Sequence, residues 1–166
     1  ELMVVMAIVA VLAAVAVPMY RDYMNKARMY SALQYLQMLH QNAMVLYDKG
    51  QLGSTIVING LTFADNAGVA VNASSVNNAV YLAANDGYVG ANEWMFCVSV
   101  TGLNFPGYVD GSTRYRMCSK TLITGTSPNI VYKNICGSWD PASVFDIPAQ
   151  YLPSGCNCNS VSSEVC

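Results

Sequence analysis

Glu1-Leu2-Met3-Val4-Val5-Met6-Ala7-Ile8-Val9-Ala10-Val11-Leu12-Ala13-Ala14-Val15-Ala16-Val17-Pro18-Met19-Tyr20-Arg21-Asp22-Tyr23 decides the reading of this chain. Residues 2–17 are apolar without interruption, and after Glu1 no charge appears before Arg21. At about 1.5 Å per helical residue, residues 2–20 approach the roughly 30 Å hydrocarbon core of a bilayer. One carboxylate thus heads a membrane-length segment. At the deep end of such a segment a charge costs on the order of 2.5–3.5 kcal/mol, so Glu1 calls for a partner. The plainer alternative is an interfacial residue that faces water.

Beyond Arg21 the pattern acquires a helical period. Met29, Ala32, Leu33, Leu36, Leu39, Ala43, Leu46 and Tyr47 recur at three- and four-residue steps, while Arg28, Ser31, Gln34, Gln37 and Gln41 fall on the opposite side. Lys49 followed by Gly50 is a basic last turn with a left-handed cap, which predicts the helix end. From residue 1 to 49 such a helix would be about 74 Å long, so its first half must project from any domain of this size. Pro18 deprives it of one backbone hydrogen bond and crowds the Ala14 carbonyl, at about 3 kcal/mol in an ordinary helix interior. A tolerated kink is one outcome, and a point that breaks on assembly is the other.

The residues quoted above closely resemble the N-terminal helix of type IV pilins. In that family a Glu opens an apolar helix, a Pro follows seventeen residues later, and a Tyr-x-x-Tyr step leads into the polar half. Glu1, Pro18, Tyr20 and Tyr23 occupy these places, and the resemblance covers about the first thirty residues. It implies a subunit that polymerises into a helical filament of identical chains, with Glu1 setting register by accepting a neighbour's N-terminal ammonium. It also implies an N-methylated aromatic residue and three more residues ahead of Glu1, preceded by a short leader. Ala7, Ala10, Ala13, Tyr20 and Tyr23 become helix-packing positions, small side chains letting backbones approach closely. The implied partners are the pilus assembly machinery and the inner membrane, which the subunit leaves for an extracellular filament. Adhesion, twitching motility and DNA uptake are the roles the family offers. A minor pilin or a secretion-system pseudopilin shares the helix, and a membrane-anchored periplasmic binding domain is the alternative of another class. The tyrosines along the helix fit packing at least as well as electron conduction.

The chain has 166 residues, 54% of them hydrophobic and 11% charged. That is room for one domain and an anchor. Net charge is +1 through Lys49 and −3 beyond it, which leaves no electrostatic footprint for nucleic acid. The expected fold class is α+β: a long N-terminal α-helix with an apolar projecting half (1–25) and an amphipathic half (26–50), packed on a small antiparallel β-sheet (93–135). Residues 51–92, rich in Asn, Gly, Ala and Ser, read as a connecting region with turn signals at Asn59-Gly60 and Asp86-Gly87. Residues 94–100, 113–120 and 129–135 are the β-rich runs. Residues 136–166 read as a disulfide-bonded C-terminal loop.

All six cysteines lie beyond residue 96, which points to disulfides and an oxidising compartment. Six cysteines allow fifteen pairings. Neighbouring strands would bring Cys97 to Cys118. Cys156 and Cys158, two apart on an extended chain, should share a face and take different partners. We assign Cys136 to Cys156 and Cys158 to Cys166, with Cys136 to Cys166 the competing arrangement. No Cys-x-x-Cys occurs, and the single histidine, His40, lies on the helix, so neither a metal site nor a cofactor is expected. Asp140 and Asp146 suit turns better than calcium. Asn72-Ala73-Ser74 is a possible glycosylation sequon. No catalytic motif is present, and no enzyme is expected.

Overall fold

A computed structural model describes residues 2–50, 55–58, 61–64, 75–76, 80–81, 87–89, 92–108, 116–125, 129–138, 147–156 and 158. Helix α1 spans Leu2–Asp48, a length of about 70 Å at 1.5 Å per residue. It ends where the cap requires. Gly50 takes φ +65° and its N–H donates to the Tyr47 carbonyl at 2.8 Å, a conformation that costs glycine little. In the single chain α1 runs continuously through Pro18, and the break at Pro18 and Ala14 is an expectation for the assembled state. Loss of one amide leaves the flanking helical bonds in place, and they hold the geometry across the gap.

Three long antiparallel strands form the heart of the sheet: β6 (Glu93–Val100), β7 (Arg116–Thr124) and β8 (Val131–Ser138). They pair in the order β6-β7-β8. The second and third extend beyond the C-terminal limits read from the sequence. The region 51–92 is more than a connection, since it carries β1 (Thr55–Ile58), β2 (Leu61–Ala64), β3 (Ser75–Val76), β4 (Val80–Tyr81) and β5 (Gly87–Val89). β1 and β2 pair as a hairpin whose register leaves two residues between Ile58 and Leu61, the place of the Asn59-Gly60 signal. β4 and β5 both pair with the free edge of β6, at opposite ends.

The period-two alternation of these strands sorts their side chains. Trp94, Phe96, Val98 and Val100 of β6, with Met117 and Ile123 of β7, pack against Met29, Ala32, Leu36, Leu39 and Ala43 of α1. Each large side chain so buried contributes about 1.5–3 kcal/mol. On the far face Met95, Cys97, Cys118 and Ile135 form a second buried cluster, where Lys120 Nζ stands 3.0 Å from Glu93 Oε2.

Candidate functional site: the uncovered helix and the contacts that aim it

Every residue of α1 from Leu2 to Tyr23 is exposed, and the first buried position is Asn25. The change falls where the sequence passes from unbroken apolar residues to a period of 3.6. Ala7, Ala10, Ala13 and Ala14 are exposed, as are Tyr20 at 65% and Tyr23 at 70%. All of the residues expected to pack helices thus lie on the exposed part of α1. An apolar surface of this extent far exceeds what a soluble monomer leaves in water. By length and composition the helix can cross a membrane, and it fits a membrane anchor or signal. Glu1, Asn72, Asp140, Asp146 and Cys166 lie outside the described residues.

Where α1 enters the head, polar contacts fix its direction. The Asn25 side chain grips one residue of the facing loop twice: its Nδ2 donates to the Asn104 carbonyl at 3.1 Å and its Oδ1 accepts from the Asn104 N–H at 2.9 Å. Arg28, expected on the solvent side, instead donates from Nη1 to the Thr101 carbonyl at 3.1 Å. Its guanidinium lies over Gly102, which takes φ +68° and where a Cβ would stand 2.8 Å from the Arg28 Cζ. The Tyr151 hydroxyl, on the 3-10 turn Ala149–Tyr151, donates to Asp22 Oδ1 at 2.9 Å. At the other end of the helix Tyr132 of β8 donates to Asp48 Oδ1 at 3.1 Å, and burial followed by that carboxylate raises its phenol pKa.

Between these ends, His40 joins α1 to two strands. Its Nε2 stands 3.1 Å from the Ser119 carbonyl, and its Nδ1 accepts from the Trp94 indole at 2.7 Å. A carbonyl on one side and an indole N–H on the other define the neutral tautomer with the proton on Nε2. Thr121 Oγ1 stands 2.7 Å from the same Nδ1 and donates to Asn134 Oδ1 at 2.6 Å. A second proton on the ring would meet the indole N–H directly. Burial lowers the His40 pKa from 6.5 to about 4, against the raising effect of the Ser119 bond.

The cysteines divide between the two faces of the sheet. Cys97 and Cys118 are opposite one another in the β6-β7 register and are bonded on the far face. Cys136 of β8 is bonded to Cys156 on the helix face. Cys156 and Cys158 do not share a face as expected, for Cys158 belongs to the far cluster. The chain between them is not a flat strand. Cys158 lies against the sheet edge as an isolated parallel bridge to Gly137, so close that a Cβ on Gly137 would run into the Cys158 carbonyl. It too is disulfide-bonded.

Two of these contacts were missed by sequence reasoning, although the signal existed. Asn25 and His40 fall on the buried stripe, four residues before Met29 and four after Leu36, and a polar residue on such a stripe needs a partner. No protein-family model matches the chain, and no solved structure matches it. Fold and contacts define a disulfide-bonded α+β head that carries an uncovered apolar helix.

Proposed function

We propose that the chain is the structural subunit of a type IV pilus, polymerising through the apolar half of α1. The observation that carries this reading is the abrupt change in α1 from wholly exposed at residues 2–23 to core-forming from Asn25 onward, joined to the Glu1, Pro18, Tyr20 and Tyr23 pattern. Before assembly a bilayer covers the apolar half; in the filament neighbouring helices cover it, and the alanines let them approach. Glu1 then pairs with a neighbour's N-terminal ammonium and sets register, since an unpaired buried charge costs about 3–5 kcal/mol. The heads form the fibre surface, and adhesion, motility or DNA uptake would be exercised there.

The test is electron microscopy of cell-surface fibres with peptide mapping, on the natural chain and on Glu1→Ala. Fibres built of this chain, with the variant retained in the membrane but sharply reduced in fibres, are the expected result. Normal fibre yield from the variant would remove the charge-pairing role. A chain that never leaves the membrane would favour the anchored binding domain.

A further inference from the structure

β8 is the outermost long strand of the sheet, and among the described residues only Cys158 pairs with its outer side. Its inner side pairs with β7 along its whole length. On the outer side Cys158 occupies only the C-terminal end. Its N–H donates to the Cys136 carbonyl at 3.1 Å, and its carbonyl accepts from the Ser138 N–H at 3.3 Å. Along an antiparallel strand the N–H and C=O of every second residue point to one side. The bonds at Cys136 and Ser138 therefore place those of Asn134 and Tyr132 on the outer side as well, and none has a partner among the described residues. A row of unpaired ladder groups is a template for another strand.

This edge borders a cleft of about 670 Å³ between β8, the turn at Ser154-Gly155 and one stripe of α1. Leu33, Gln37, Gln41 and Met44 line its helix wall, and among the described residues no charged side chain lines it. The side chains of Gln37, Gln41 and Ser154 have no hydrogen-bond partner among the described residues. Side-chain amides suit peptide backbone, and Asn25 already grips the Asn104 backbone in this way. On the opposite face of β8, Lys133 is exposed and has no acidic partner among the described residues.

We infer that the outer edge of β8 takes one extended strand of a partner protein, bound by β-augmentation alongside residues 131–136. One face of that strand sends small neutral side chains into the amide-lined cleft. The other carries a carboxylate beside Lys133. A second copy of this chain is the wrong occupant, because antiparallel pairing of two β8 edges about their middle sets Lys133 near its own counterpart, and like charges across strands repel. The inference is independent of filament assembly.

The test uses the full chain in detergent micelles and a labelled probe peptide of about seven residues. The probe carries threonines on one face, with valine, glutamate and valine on the other. Fluorescence anisotropy should rise saturably, with new amide-exchange protection at Tyr132 and Asn134. N-methylation of every second amide, on the edge facing β8, should abolish binding. Lys133→Glu lies on the surface, away from the core. It should weaken the probe about two- to five-fold, the value of an exposed ion pair, and favour a lysine-bearing probe instead. The inference is overturned if the N-methylated probe binds equally well, if protection appears elsewhere, if no binding occurs, or if the unliganded chain dimerises through β8.

Discussion

Acid should unlock α1 from the sheet through His40, and the size of the effect follows from its surroundings. In the unfolded chain the imidazole titrates near 6.5, whereas in the folded head burial holds it neutral to about 4. At pH 7 the folded head is neutral and the unfolded chain mostly so, and the difference contributes little. As pH falls below 6.5 the unfolded chain takes up a proton that the folded head refuses, so stability declines by about 1.4 kcal/mol per pH unit. The decline levels off near pH 4 after a loss of about 3 kcal/mol, a large share of what a domain this size possesses. The assay is urea unfolding of the full chain in detergent, followed by tryptophan fluorescence at steps between pH 7.5 and about 4. His40→Gln is the comparison: it leaves the buried Trp94 N–H without its acceptor and should cost about 1–3 kcal/mol at pH 7. It should also flatten the acid dependence, since other titrating groups are common to both proteins. Equal slopes for the two chains between pH 6.5 and 4 would refute the reasoning.

Asn25→Ala should destabilise the head by about 1–3 kcal/mol, because it leaves the Asn104 N–H and carbonyl unpaired; faster proteolysis at residues 101–105 together with a lower urea midpoint is the check. Removing the Cys136–Cys156 bond with a double serine variant should cost about 3 kcal/mol, as its 20-residue separation sets the loop entropy; the 147–158 segment should become protease-sensitive before α1 does, as followed by mass spectrometry. Pro18 should become the site of a lost helical turn only on assembly, where packing can exploit the carbonyl left free at Ala14; a fibre map with unbroken α-helix from Ala10 through Arg28 would count against it.

Local signals carried much of the architecture. The apolar run of residues 2–17, the 3.6 period from Met29 to Tyr47 and the Gly50 cap each act within a turn or two of helix, where sequence neighbours are also spatial neighbours. The same holds for the Asn59-Gly60 connection and for the alternation of β6. Local pattern was less informative at strand ends, since ladder bonds to a partner extended β7 and β8 past the residues whose own propensity marks them as β. Pro18 shows the reverse limit: a breaker in isolation, it sits within a continuous helix.

The sequence alone determined that this chain has an apolar helical half longer than its head can cover, because hydrophobic length and periodicity are properties of a single segment. Only the tertiary structure decided what holds that helix in place. The Asn25–Asn104 grip, the seating of Arg28 over Gly102 and the His40 node each join residues about 54 to 81 positions apart. The faces taken by Cys156 and Cys158 and the place of β8 at the end of the strand order were likewise settled by the fold. Such contacts depend on which strand lies beside which and in what register. That is fixed by the collective packing of both sheet faces, so no single segment encodes it.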